Sequence, residues 1–102
     1  MKKLIAAAAA VVTTATFSAL VQAEVPMDKY NKSCAICHAA GTAGAPKTHD
    51  VAAWKPRLEK GDAKMLESIH NGFNAMPPKG MCFDCNDEDY KALIDFMSTA
   101  AK

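Results

Sequence analysis

The residues with the clearest capacity for chemistry are two cysteines and a histidine in the first half of the chain. Cys34, Cys37 and His38 form the pattern Cys-x-x-Cys-His, which is the attachment signature of c-type haem. On a helix, Cys34 and Cys37 are three residues apart, so both thiols face one side and reach the two vinyl groups of one haem. His38 shares that face, where its imidazole reaches the iron. The spacing therefore predicts one covalent haem c with His38 as an axial ligand.

All four cysteines lie in two Cys-x-x-Cys pairs, which leaves other chemistry open. A structural zinc site would use Cys34, Cys37, Cys82 and Cys85, but the 44 residues between the pairs exceed the usual spacing and His38 would have no role. A dithiol oxidoreductase would be expected on a βαβ scaffold, and the sequence has no strand pattern. Two plain disulfides are the simplest structural alternative. The histidine after the first pair favours haem over all three.

A carrier haem needs a second axial ligand, for which methionine is the expected type. Met76 precedes Pro77, which disfavours helical geometry and predicts an extended strand that Pro78 stiffens. We therefore predict Met76 as the second ligand, with Met81 as its nearest rival. The other candidate ligands have simpler roles, such as packing on a helix stripe or lying in a polar loop, or are too near the helix that carries the Cys-x-x-Cys-His pattern. They are Met27, Met65, Met97, His49 and His70.

Helical periodicity predicts the elements that position these side chains. The predicted helices span 26–38, 62–71 and 86–102, with a shorter helical turn over 50–58. Asp62 is expected to cap the second of the three long helices, and Gly72 to end it. The inward stripe of the last helix consists of Tyr90, Leu93, Ile94 and Met97. The sequence therefore predicts an all-α domain of three to four helices joined by Gly/Pro-rich loops. The apolar stripes are too few to form a hydrophobic core by themselves, so we expect the helices to wrap around a cofactor.

The first 23 residues have the three parts of a secretory signal peptide. The start is basic, the following stretch carries no charge, and Val21-Gln22-Ala23 matches the small-x-small cleavage rule. We therefore predict a cleaved signal peptide over 1–23 and one domain over 24–102, with no membrane insertion after cleavage. The alternative, a retained anchor helix, would need a longer and more apolar run. The predicted compartment is a bacterial periplasm, where thiols tend to be oxidised.

The charge balance argues against one class of partner. Removing Lys2 and Lys3 from the 12 Lys and Arg leaves ten, against 11 Asp and Glu. The domain is therefore close to neutral, whereas a nucleic-acid binder needs a strongly basic surface. We expect protein partners and no nucleic acid.

Together these motifs resemble a known family. Cys34–His38, Met76-Pro77 and a closing helix with Tyr90 and Phe96 are similar to the class I c-type cytochromes. Within that class, the segment from Met76 to Cys85 (MPPKGMCFDC) resembles the cytochrome c5 group. The resemblance covers essentially all of residues 24–102. It implies the small class I cytochrome c fold, in which the first and last helices cross beside the haem.

The resemblance also implies roles for residues whose patterns alone leave their roles open. Pro46 would offer its carbonyl to the second nitrogen of the axial histidine. Trp54 and Arg57 would contact the haem propionates. Cys82 and Cys85 would pair as a disulfide.

The leading hypothesis is a soluble periplasmic monohaem cytochrome that carries one electron at a time. Its partners would be donor and acceptor redox proteins, expected among membrane-bound respiratory complexes. With both axial positions filled no substrate site is left, so we do not expect an enzyme. The alternatives are a haem enzyme or small-gas sensor with an open distal site, and a four-cysteine zinc or disulfide module. No distal acid–base pair is recognisable near Met76, which counts against the first alternative.

Overall fold

The computed structural model describes residues 24–101. These residues form four helices and two short 3-10 segments, and their only strand-type pairing is an isolated bridge between Phe73 and Met76. The all-α fold class is therefore confirmed. The predicted signal peptide over 1–23 lies outside the described residues. Within the described part of the chain, no helix is long and apolar enough to cross a membrane.

Helix α1 carries the Cys-x-x-Cys-His pattern and is not uniform along its length. It consists of an α-helical turn Met27–Lys29, a π-helical stretch Tyr30–Cys34 and a second α-helical segment Ala35–His38. Pro26, predicted as the first helical residue, instead occupies the N-cap. A π-helical stretch is rare and is frequently found at functional sites, and this one ends at Cys34.

Helix α2 spans Val51–Leu58, close to the helical turn predicted for this region. Its N-cap is Asp50, whose side chain accepts a hydrogen bond from the backbone N–H of Ala53 at 3.2 Å. Pro56 lies inside the helix. Because proline lacks an N–H it removes one helical hydrogen bond, and the helix ends two residues later.

Helix α3 spans Asp62–Asn71, as predicted, but its cap differs. The prediction that Asp62 is the N-cap was wrong, because Gly61 occupies that position with a φ of +87° and Asp62 is the first helical residue. The carboxylate still lies in the first turn, where the helix dipole favours it. Gly72 ends the helix at the predicted position.

Helix α4 spans Asp87–Ser98 and therefore ends before the predicted position 102. Asn86 caps it: its side chain accepts from the N–H of Asp89 at 2.8 Å, and the Asp89 carboxylate accepts from the N–H of Asn86 at 3.1 Å. This reciprocal capping box satisfies two donors that the helix itself leaves unpaired.

The core includes contacts between α1 and α4. Tyr30 of α1 meets Phe96 of α4 edge to face, with ring centroids 5.0 Å apart, and the ammonium of Lys29 lies 3.0 Å from the carboxylate of Asp89. The predicted inward stripe of α4 is buried. The buried apolar side chains are Tyr30, Trp54, Ile69, Cys82, Tyr90, Leu93, Ile94 and Met97. This set is small, and the remaining interior of the domain is a cavity.

The turn before α4 is closed by a disulfide between Cys82 and Cys85, whose Cα atoms are 5.5 Å apart. Cys82 is fully buried, and its carbonyl accepts a hydrogen bond from the Tyr90 hydroxyl at 2.8 Å. The sulfur bond thus closes the turn, and the tyrosine holds it to α4.

Candidate functional site

A cavity of about 440 Å³ lies between the helices, within the size range of small-molecule and cofactor sites. It is enclosed by α1, the loop after it, α2, α3, the 73–81 loop and α4. Its lining is mostly apolar and includes Ile36, Cys37, His38, Pro46, Trp54, Arg57, Lys60, Met65, Ile69, Phe73, Met76, Gly80, Met81, Ile94 and Met97.

His38 is the imidazole that faces this cavity. It is 7% exposed, and its Nδ1 lies 2.8 Å from the carbonyl oxygen of Pro46, which makes Nδ1 the hydrogen-bond donor. The Trp54 ring stacks on it with centroids 5.4 Å apart. Burial lowers the pKa of His38, the Pro46 carbonyl opposes that shift and the charge of Arg57 adds to it. Burial thus favours the neutral form of the ring, and with Nδ1 as the donor the lone pair of Nε2 is available to a metal.

The two cysteines that precede His38 carry free thiols and are half-buried. Cys37 lines the cavity, and Cys34 packs against the core. Burial raises the pKa of the Cys34 thiol. The second pair, Cys82 and Cys85, cannot be another attachment site of this pattern, because the residue after Cys85 is not a histidine. The Cys-x-x-Cys-His pattern is thus unique in the chain.

Met76 lies on the loop that closes the cavity, and the backbone holds it on both sides. Its N–H donates to the carbonyl of Phe73 at 2.8 Å, and its carbonyl accepts from the N–H of Phe73 at 3.0 Å. Pro77 follows in an extended conformation. The predicted extended segment is therefore confined to Met76 and Pro77, because Pro78 already begins a 3-10 segment, Pro78–Met81. The sequence gave no sign of the bridge to Phe73.

Two glycines leave room for Met76, and the sequence patterns did not reveal this role. A Cβ at Gly72 would lie 2.9 Å from the Met76 carbonyl oxygen, and one at Gly80 would lie 3.0 Å from the Met76 methyl carbon. Both distances are shorter than normal contacts. Gly72 was recognised as a helix stop, yet its close approach to Met76 arises only from the folded loop.

The rival ligands occupy different surroundings. Met81 also borders the cavity but is 53% exposed. Met65 and Met97 line it from α3 and α4. The two histidines other than His38 lie elsewhere: His49 bonds the backbone near the end of α4, and Nε2 of His70 lies 2.6 Å from the carboxylate of Asp87, which is outside the cavity.

The residues that the resemblance connected to propionates lie at the cavity wall. The indole N–H of Trp54 donates to the carbonyl of Lys47 at 3.0 Å, so the backbone already uses that donor. One guanidinium nitrogen of Arg57 donates to the Ala53 carbonyl at 2.5 Å, which leaves its other donors. Lys60, which no sequence motif singled out, adds a second cation to the wall, with its ammonium 4.8 Å from the centre of the Phe73 ring. Both cations suit the carboxylates of a haem.

The donor set fits a haem. One imidazole, one or more thioethers, two thiols on the attachment helix and two cations surround an apolar cavity, and each type matches a part of that cofactor. The four-cysteine zinc site is not assembled: among residues 24–101, the only cluster with metal-ligand spacing is Cys82, Asp84 and Cys85, two of which form a disulfide. The cysteines at 34 and 37 take no part in it.

Comparisons with known proteins agree with this chemistry. The family described as "Cytochrome C oxidase, cbb3-type, subunit III" matches residues 21–97. Cytochrome c5 of Ectopseudomonas mendocina is 48% identical over 69 residues, covering 66% of this chain and 79% of that protein. Cytochrome c5 of Azotobacter vinelandii is 49% identical over 74 residues, covering 70% and 88%.

Solved structures give the same result. A mono-haem ferrocytochrome c from Shewanella putrefaciens is 54% identical with a TM-score of 0.65, covering 78% of this chain and 99% of that one. A chain from the crystal structure of an electron transfer complex of nitrite reductase with cytochrome c is 35% identical with a TM-score of 0.62, covering 71% and 88%. By this similarity the chain is an electron carrier with one covalently attached haem c, and not an enzyme. It belongs to this cytochrome c family, as a class I c-type cytochrome of the cytochrome c5 group.

Proposed function

We propose that this cytochrome is a periplasmic one-electron carrier whose haem iron is ligated by His38 and Met76. The observation that carries the proposal is that both side chains line one apolar cavity and that the backbone holds each of them. When bound, the haem supplies the redox chemistry, since its iron alternates between the ferric and ferrous states. The protein residues supply attachment, ligation and a fixed environment.

Each group at the site has a defined task in this proposal. Cys34 and Cys37 hold the cofactor through thioether bonds. The carbonyl of Pro46 fixes the tautomer and orientation of His38, because a metal-bound imidazole is aligned by the bond at its other nitrogen. Met76 supplies a thioether, a soft donor that favours the ferrous state and raises the reduction potential. Because both ligands are fixed in advance, little rearrangement is needed when the charge on the iron changes.

The location and the partners belong to the same proposal. Residues 1–23 act as the cleaved export signal, and the domain over 24–102 works in the periplasm. One structural neighbour is a cytochrome c whose structure was determined in a complex with nitrite reductase, which supports redox proteins as partners. We extend this to a donor and an acceptor among membrane-bound respiratory complexes.

The ligation is tested by comparing Met76→Ala with Met81→Ala in the holoprotein. Met76→Ala is expected to abolish the weak red absorption band of ferric methionine ligation, lower the reduction potential and allow carbon monoxide to bind, because the sixth position opens. Met81→Ala is the matched control, since Met81 borders the same cavity, and it should change none of the three. The reverse pattern would assign Met81 instead.

Two further outcomes address the rest of the proposal. If the wild-type protein binds carbon monoxide readily and lacks the red band, the distal site is open and a haem enzyme or gas sensor is the better hypothesis. The intact mass of protein from the periplasmic fraction should equal residues 24–102 plus one haem, less two hydrogens for the disulfide. A mass that includes residues 1–23 would show a retained leader.

A further inference from the structure

The segment over residues 46–49, here called the strap, contacts His38 at two points. His38 Nδ1 donates to the carbonyl of Pro46 at 2.8 Å. The backbone N–H of Thr48 donates to the carbonyl of His38 at 2.7 Å. The position of the strap therefore sets where the acceptor for the His38 ring lies. Its middle is bonded to Trp54 through the Lys47 carbonyl and to the Tyr30 hydroxyl through Thr48 Oγ1, so its far end, at His49, is the part that remains to be held.

The far end of the strap is fastened to the C-terminal end of α4 by His49. Its backbone N–H donates to the carbonyl of Met97 at 2.6 Å, and its ring Nδ1 donates to the carbonyl of Thr99 at 2.7 Å. The same ring lies edge to face against Phe96, with centroids 4.9 Å apart. One residue thus makes three contacts with the end of one helix.

The backbone of His49 is in the left-handed region, with a φ of +71°. Such a conformation is uncommon for a residue with a side chain and persists where the surroundings over-determine it. The two ring contacts with α4 and the backbone bond to Met97 together favour this conformation. A glycine would adopt the same φ without strain but would supply no ring.

We propose that His49 is a positioning residue for the axial histidine: by fastening the strap to α4, it keeps the Pro46 carbonyl in line with His38 Nδ1. This rests on the proposed ligation by His38. A hydrogen bond at Nδ1 makes the imidazole a stronger donor to the iron and so favours the ferric state. Loosening the strap weakens that bond, and the reduction potential rises.

The test compares His49→Gly and His49→Asn with wild-type holoprotein. Glycine and asparagine both tolerate the left-handed backbone, so each variant removes the ring contacts without imposing backbone strain. Two quantities are measured: the reduction potential, and the hydrogen-exchange rate of the His38 Nδ1–H in the ferrous protein by NMR. We expect a higher potential and exchange faster by roughly 2- to 10-fold, the factor given by the loss of one ordinary hydrogen bond.

His70→Asn is the matched control. His70 also bonds across two elements, with Nε2 2.6 Å from Asp87, and also lies edge to face on an aromatic ring, that of Tyr90 at 5.5 Å. It has no contact with the strap, so its loss should leave both readouts unchanged even where stability falls.

The outcomes separate the two proposals. Unchanged potential and Nδ1–H exchange in both His49 variants, with or without a loss of stability, would show that His49 is only structural and would overturn the inference. A wild-type holoprotein in which the His38 Nδ1–H resonance does not have the shift of an iron ligand would overturn the ligation itself, whatever the His49 variants show.

Discussion

Replacing Gly72 with alanine should disturb the loop that carries Met76, four residues further along the chain. Gly72 has φ +86° and ψ +159°, a region of backbone space that is essentially restricted to glycine. An alanine Cβ there would lie 2.9 Å from the Met76 carbonyl oxygen, 3.2 Å from the backbone nitrogen of Pro78 and 3.3 Å from its Cδ. Backbone and a proline ring cannot rotate away as a flexible side chain can, so the loop itself must shift.

The chain contains a control with the same backbone geometry. Gly61 has φ +87° and ψ +160°, but a Cβ built there meets no atom within 4 Å. Gly61→Ala therefore measures the backbone strain alone, of about 1–3 kcal/mol. Gly72→Ala adds the overcrowding, for which forced shifts in packed regions cost about a further 1–3 kcal/mol. The free energy of unfolding should thus fall more at position 72.

The assay is guanidinium unfolding of both holoproteins, followed by the fluorescence of Trp54 and by the red methionine–iron band. We expect the band to weaken or shift in Gly72→Ala under native conditions and to stay unchanged in Gly61→Ala. Equal losses of unfolding free energy, together with identical spectra, would refute the reasoning that Gly72 makes room for Met76.

Two further predictions concern the start of α4. Cys82→Ser with Cys85→Ser should keep the haem spectrum and lower stability modestly, by less than the roughly 3 kcal/mol of a 15-residue loop, because the pair encloses only two residues; a thiol titration of the oxidised wild-type protein that finds reactive cysteines would contradict the pairing. The hydrogen bond from Lys29, with help from the N–H of Asn86, lowers the pKa of Asp89. That carboxylate therefore stabilises the fold above its ordinary pKa of about 4, and the contribution is lost as the pH falls through the lower, folded value. In Asp89→Asn, the free energy of unfolding should therefore fall less steeply with decreasing pH than in the wild-type protein. The same pH dependence in both proteins would contradict this role of Asp89.

Several features of the domain follow from the sequence because their cause is local. The Cys-x-x-Cys-His spacing needs only a helix to bring its groups together. The bounds of α3 and the N-terminus of α4 follow from capping residues within a few positions, and the buried stripe from Tyr90 to Met97 follows from the helical period. Met76 stands out because Pro77 restricts the backbone directly before it.

Other features are decided by contacts between distant segments, and a local pattern carries no information on these. Trp54 gives its N–H to the Lys47 carbonyl, which only the folded loop brings within reach.

The same holds for the supports of the two predicted ligands. The sequence marks His38 and Met76 by their immediate neighbours, but the tertiary structure alone shows that Gly72 clears space for the methionine and that His49 ties the histidine's acceptor to the last helix. Attachment and ligation are properties of residue type and spacing. The alignment of the two ligand side chains depends on backbone positions that the whole fold sets, so only the structure reveals it.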